Sequence, residues 1–264
     1  MNMQSKLFDI GANLTHESFN EDLKEIIDES IESNINKICI TGCDIDDSKK
    51  ALSIAQSFPE HLISTCGIHP HYADKFNDSS AQKIKEIAGN KLVKAIGETG
   101  LDFNRNYSSR KNQLHSFQKH IEIANDLELP LFLHQRDSHK DFLDCIEVAK
   151  PETNCVVHCF TGSRLEMNDY LSLGFYIGLT GWICDPKRGA HMEEFISDIP
   201  LDKLLIETDS PYLLPKKIKI KGRRNKPLFL SEVLNKVSEI RQEPIDILRS
   251  EIFKNSLEFF NLQK

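Results

Sequence analysis

A chain of 264 residues with a net charge of −7, 39% hydrophobic and 28% charged, has the make-up of an ordinary globular protein, not a disordered or fibrous one. That acidity argues against a protein that coats nucleic acid with its whole surface, though it permits a local basic patch. The start, Met1-Asn2-Met3-Gln4-Ser5-Lys6, carries no apolar signal region, and no apolar run is long enough to span a bilayer; a cytoplasmic protein with no membrane partner is expected.

Apolar, strand-like runs recur along the chain at Leu7–Ile10, Ile38–Ile40, Leu62–Cys66, Leu92–Ile96, Leu131–Leu133, Cys155–Val157, Phe175–Leu179 and Leu204–Ile206. Helix-period segments lie between them. Leu23, Ile26, Ile27 and Ile31 share one helical face, as do Leu114, Phe117, Ile121 and Ala124 behind Arg110 and Lys111. Further helices are expected over Asp44–Ser57, Ala81–Ala88, Ser138–Val148, Arg164–Leu173, Arg188–Ile196, Leu230–Val237 and Pro244–Phe260, with Pro244 suited to a first helical position. Eight strands alternating with helices predict a (β/α)8 TIM-type barrel. A doubly wound open sheet would normally carry a glycine-rich phosphate loop, and neither G-x-G-x-x-G nor a Walker A sequence is present. No linker or low-complexity stretch divides the chain, so residues 1–264 are expected to form a single domain.

Seven cysteines, an odd number with no Cys-x-x-Cys pair, read as buried free thiols in a reducing compartment. Cys155 and Cys159 flank His158, but strand alternation would send Cys159 to the opposite face, and a cysteine-liganded metal is not expected.

Four strand-like runs finish on a possible metal ligand: Glu98, His134, His158 and Asp209. In a barrel these strand ends open into one mouth, where active sites lie. Two imidazoles and two carboxylates suit zinc, manganese, or magnesium completed by waters. Such an ion would activate water and polarise a scissile bond, with Asp209 touching the metal and accepting a proton. The plainer alternative is four unrelated polar residues at strand ends. Gly67-Ile68-His69-Pro70-His71 offers a second histidine pair, for substrate binding or proton donation, or simply a surface turn. After Glu98, Arg105 could meet a phosphate and Phe103 a base, although a plain turn fits equally well. The basic run Lys216–Lys226, with Arg223 and Arg224, reads as a solvated loop or as a cationic rim for an anionic substrate, joined by Lys187 and Arg188. Trp182 could stack on a base or belong to the core.

With these residues in view, the whole chain resembles the TatD-type metal-dependent deoxyribonucleases of the amidohydrolase superfamily. The resemblance is carried by Phe8-Asp9-Ile10-Gly11-Ala12-Asn13-Leu14-Thr15, Gly67–His71, Ile96–Phe103, His134-Gln135-Arg136-Asp137, His158-Cys159-Phe160-Thr161-Gly162, Glu207–Leu213 and Arg224-Asn225-Lys226-Pro227. It implies a TIM-type barrel and a divalent ion, magnesium first, held by Glu98, His134 and His158 with Asp209 on or near it. It also implies 3′-to-5′ exonuclease action on single-stranded DNA, extending to RNA, in DNA repair or degradation. His69, His71, Arg224, Asn13 and Arg105 are expected to bind substrate, Asp209 and Glu98 to be catalytic, and the protein to be a monomer. Most of the family has a His-x-His pair on strand one for a second metal, where this chain has Gly11-Ala12-Asn13, as its TatD branch does. One tightly bound ion is therefore expected. Two readings compete: an ester or amide hydrolase, including one that removes amino acids from tRNA, and a catalytically decayed metal- or nucleic-acid-binding barrel.

Overall fold

A computed structural model describes residues 6–262; the reading of Met1–Ser5 lies outside them. The strands are β1 (Leu7–Ala12), β2 (Ile35–Ile40), β3 (Leu62–Cys66), β4 (Val93–Asp102), β5 (Leu131–Arg136), β6 (Cys155–Val157), β7 (Tyr176–Leu179) and β8 (Leu204–Ile206). The helices are α1 (Leu23–Glu32), α2 (Ile45–Ser57), α3 (Asp78–Ala88), α4 (Arg110–Leu127), α5 (His139–Ala149), α6 (Arg164–Ser172), α7 (Leu230–Arg241) and α8 (Ile245–Phe259). The strands form one eight-stranded sheet in the order β1 to β8, with parallel pairing at β3–β4, β4–β5, β5–β6 and β7–β8. The fold is a (β/α)8 TIM-type barrel. Among the described residues no helix is long and apolar enough to cross a membrane.

Helix starts follow the sequence where capping side chains are present. Asp44 accepts from the backbone N–H of Asp46 and Asp47, Ser109 from that of Asn112, and Ser163 with Glu166 closes a capping box. Two expectations are corrected. Arg188–Ile196 forms short 3-10 turns (Ala190–Glu194, Ile196–Asp198), because Phe195 between them turns to φ −144° and so enters the core beside Ile196. Pro244 precedes α8 as its cap, its carbonyl accepting from Ile247 and Leu248, one position earlier than expected.

The chain comprises two compact units. One holds the described residues up to Cys39 and those from Cys159 onward; Phe8, Phe259, Phe260 and Tyr176 pack its interior, with Phe8 stacked on Phe260 at 5.2 Å. In it the C-terminal end of β1 is linked to the segment after β8: the Asp209 N–H donates to the Gly11 carbonyl and the Asn13 N–H to that of Ser210. The other unit, Ile40–His158, is packed around Phe117 stacked on Phe142 at 5.0 Å.

His120 of α4 is fully buried and holds the loop after β3. Its Nδ1–H donates to the Ser116 carbonyl (2.7 Å), which leaves Nε2 to accept from the Ile68 backbone N–H (3.0 Å). Burial pushes its pKa down to about 4. The folded chain thus keeps His120 neutral while the unfolded chain protonates it near pH 6.5, so stability falls as pH drops from about 6.5 to 4. His120→Gln should remove up to about 3 kcal/mol of that pH dependence, read as urea midpoints at neutral and acid pH. An unchanged slope would refute this role.

Candidate metal centre

Glu98 does not end its strand: β4 continues to Asp102 and β5 to Arg136, so Glu98 and His134 both lie within the ladder. The apolar run stops at Ile96, but Thr99–Asp102 go on pairing with Leu133–Arg136. Between Ile96 and Thr99 the register slips: three steps along β4 match two along β5. This bulge re-aims the intervening side chain, Glu98. Its flanking glycines are obligatory. Gly97 and Gly100 have φ of +143° and +137°, and a Cβ on them would lie 2.2 Å from the Phe132 carbonyl oxygen and 2.0 Å from that of His134. The Glu98 N–H donates to the Gly42 carbonyl at 2.9 Å.

Three imidazoles converge on one oxygen of this carboxylate. His134 Nδ1 and His158 Nε2 lie 2.9 Å from Glu98 Oε1, and His69 Nε2 lies 3.1 Å from it. The Cys43 thiol approaches the other oxygen at 3.7 Å. Glu98, His69 and His158 are all buried. Burial alone would raise the pKa of Glu98, but the surrounding histidines more than reverse this and hold it well below the carboxylate range.

The second contacts of the histidines distinguish their roles. His134 Nε2 lies 3.2 Å from Asp102 Oδ2 and its Nδ1 2.9 Å from Glu98 Oε1; donation to Asp102 would leave Nδ1 free to ligate a cation held with Glu98. His69 is the reverse. Its Nδ1 accepts from the His71 backbone N–H, so its proton sits on Nε2 and points at Glu98. Burial pushes the pKa of His69 down to about 4, which keeps the ring neutral. The ligating atoms of His69, Glu98 and His134 lie within 4.8 Å of one another, and this donor set fits a divalent ion. Within that set His69 has the tautomer of an N–H donor to Glu98, so ligation falls to Glu98 and His134, with His158 Nε2 next to the same carboxylate oxygen, 2.9 Å away.

Asp102, which the sequence left unassigned, organises this half of the site. Oδ1 accepts the backbone N–H groups of Asn104 and Arg105, and Oδ2 takes His71 Nε2 at 3.0 Å as well as His134. Gln113 braces its main chain, accepting from the Asp102 N–H and donating to its carbonyl. Burial would raise the Asp102 pKa, but hydrogen bonds from both histidines and the loop hold it below the usual range. Asp102→Asn is expected to weaken divalent-metal binding about 10–100-fold, the scale for losing a carboxylate behind a ligating histidine, as read by calorimetric manganese titration. Unaltered binding would mean that His134 is oriented by something else.

Asp209 belongs to the other compact unit. It adopts φ +53°, and its Oδ1 accepts from Asn13 Nδ2 at 2.8 Å. Asn13 thus offers Asp209 an N–H donor, and an amide nitrogen has no lone pair to give a metal. Beneath it lies a buried layer that sequence reading missed. Asp9 takes the Thr208 N–H (2.9 Å) and hydroxyl (2.5 Å), and Glu207 takes the Cys159 N–H at 2.6 Å. The burial of Asp9 raises its pKa to about 8. Only the apolar neighbours of Asp9 and Glu207 in β1 and β8 hinted that these acids are internal.

Among the remaining expected residues, His71 is half-buried against Asp102, and Arg105 extends from the Asp102-capped turn with its side chain exposed. Phe103 is covered by the Arg110 guanidinium, 5.3 Å from its ring. The aromatic ring offered to solvent in that loop is instead Tyr107, 65% exposed and edge-on to His71. Arg224 is not presented to a ligand: its guanidinium is committed to the Asp22 carboxylate and the Ser18 carbonyl and lies over the Phe19 ring. Arg188 stacks on Trp182 and pairs with Asp185, leaving Trp182 half-buried and neither core nor bare. The seven cysteines form no disulfide; Cys39, Cys66, Cys145 and Cys155 are buried, the other three partly so.

Residues 8–261 match the family model described as TatD related DNase. A relative from Pectobacterium carotovorum named 3′-5′ ssDNA/RNA exonuclease TatD is 39% identical over 262 residues, 97% of this chain and 100% of its own. One of the same name from Yersinia pseudotuberculosis is 41% identical over 259 residues, with the same coverage. Among solved structures, a TatD family hydrolase from Entamoeba histolytica superposes with a TM-score of 0.90 at 26% identity, over 99% of this chain and 100% of its own. The buried glutamate with its ring of histidines and the full-length match agree: the chain belongs to the TatD-related DNase family.

Proposed function

We propose that this chain is a metal-dependent nuclease that releases nucleotides from the 3′ end of single-stranded DNA or RNA. The observation that carries the reading is the convergence of His69, His134 and His158 on one oxygen of Glu98, in a chain whose relatives are named for that activity. Glu98, His134 and His158 would hold a divalent ion, magnesium first and manganese or zinc as alternatives, with Asp209 as further ligand and general base. When bound, that ion polarises the phosphodiester and lowers the pKa of water. Asp102 locks His134, and neutral His69 aims an N–H that can pass from Glu98 to a phosphate oxygen. Asn13 fixes the carboxylate of Asp209, the proposed proton acceptor. Arg105 reaches for a backbone phosphate, and the exposed Tyr107 ring beside His71 offers a stacking face for a terminal base.

The family match over residues 8–261 supports a single working domain, and we extend the reading to a monomeric cytoplasmic enzyme of DNA repair or degradation. The deciding experiment is to strip the protein of metal, offer it a 3′-labelled single-stranded oligonucleotide, and restore magnesium, manganese or zinc separately. Release of labelled mononucleotide that requires metal is expected. A folded protein that releases nothing with any ion, but cleaves an aminoacyl ester, would replace this reading with the ester hydrolase. Stoichiometric binding without turnover would replace it with the decayed barrel.

A further inference from the structure

Between Lys216 and Lys226 the chain carries seven cationic side chains and no acid, within a protein of net charge −7. The structure sorts these cations into two groups. Those at the ends of the run are paired: Lys216 with Asp185 (3.5 Å), Lys217 with Glu239 (3.9 Å), Arg224 with Asp22, and Lys226 with Glu29 (3.0 Å). Those at the tip, Lys219, Lys221 and Arg223, are exposed and have no carboxylate partner among the described residues. They recur at every second residue, alternating with Ile220 and Gly222. Three adjacent like charges repel one another, and this protein has ample acid with which to neutralise them; leaving them bare favours an anionic ligand.

The same segment encloses a groove of about 520 Å³ lined by Pro215, Lys216, Ile218, Lys219, Ile220 and Arg223. Cations alternating with isoleucine suit a ligand whose own charge alternates with flat apolar groups. A single nucleic-acid strand is such a ligand; a free inorganic anion would have no use for the apolar wall. The loop is also fixed at its base. Asn225, 1% exposed, donates its N–H to the Pro211 carbonyl (3.0 Å) and its Nδ2 to the Thr208 carbonyl (2.9 Å). The residue that closes the loop therefore grips the peptide immediately before Asp209.

We propose that Lys219, Lys221 and Arg223 form a phosphate-binding track for the body of a single-stranded DNA or RNA, tethered by Asn225 to the strand end that carries Asp209. The proposal rests on the nuclease reading above for its ligand class. It assigns to the loop tip the phosphate contacts that Arg224, committed to Asp22, does not make.

The test is equilibrium binding in chelator, where no turnover occurs, of fluorescent twenty-nucleotide oligothymidylate and oligouridylate across a salt series. The triple variant Lys219→Ala, Lys221→Ala, Arg223→Ala is compared with wild type and with the charge-keeping Lys219→Arg, Lys221→Arg, Arg223→Lys. The alanine variant should bind both strands about tenfold or more weakly at low salt, and the slope of log K against log salt should fall by about 2, near 0.7 for each lost contact. The charge-keeping variant should retain the wild-type slope. Equal affinities and slopes for the alanine variant and wild type would overturn the proposal. So would a charge-keeping variant as impaired as the alanine one, since the loop would then matter for shape and not charge. A change on only one of the two strands would overturn the backbone track in favour of sugar recognition. Because binding is read without metal, loss of the nuclease reading in the release assay and loss of this one are separate results.

Discussion

Glu98→Gln is expected to lower turnover at least about a thousandfold at saturating metal, with the melting temperature little changed. Glutamine keeps the size and one carbonyl oxygen but removes the charge that draws His134 and His158 to a single point. The loss of one group acting on the charge of a transition state is of this order. The substitution also removes one of the two carboxylate contacts that raise the pKa of buried His134 against the effect of its burial, so the ring becomes harder to protonate. Single-turnover cleavage of a 3′-labelled strand, with thermal melts alongside, is the measurement. Activity within tenfold of wild type would remove Glu98 from the centre of the site.

Gly100→Ala should be the most damaging small substitution in the chain, costing more than about 4 kcal/mol, or roughly 10 °C in melting temperature. The cause is double: φ of +137° disfavours any Cβ, and that Cβ would sit 2.0 Å from the His134 carbonyl oxygen, a backbone atom of the neighbouring strand that cannot swing aside. Gly222→Ala is the control. Its φ is also positive, +82°, but nothing lies within 4 Å of the added carbon, so it should cost only the local strain of about 1–2 kcal/mol. Comparable losses for the two would show that backbone strain alone, and not the contact with His134, makes Gly100 indispensable.

The alternation of apolar runs with helical periods was enough to predict the eight strands, because a barrel strand buried on both faces shows as a short continuous hydrophobic run. The same rule ended β4 and β5 too early. It stops at the first polar residue, whereas the ladder continues through Thr99–Asp102 and His134–Arg136, where His134 and Asp102 are polar because they serve the site. It also turned Arg188–Ile196 into a helix, since apolar spacing cannot show that Phe195 leaves helical geometry to reach the core.

The residue types at the site were legible one by one. A glutamate between glycines, and histidines following apolar runs, are local patterns. What the sequence by itself determined was the barrel, the family, and the candidate ligands Glu98, His134 and His158. Which partner each side chain serves was decided only by tertiary structure. The register slip that aims Glu98 and the carboxylate of Asp102 behind His134 join residues distant in sequence, and the tautomer of His69 is set by the backbone N–H of His71 only because the loop turns back on itself there. Arg224 and Arg223 make the same point: adjacent and chemically alike, they are separated in role because only one of them meets an aspartate, Asp22, two hundred residues earlier in the chain.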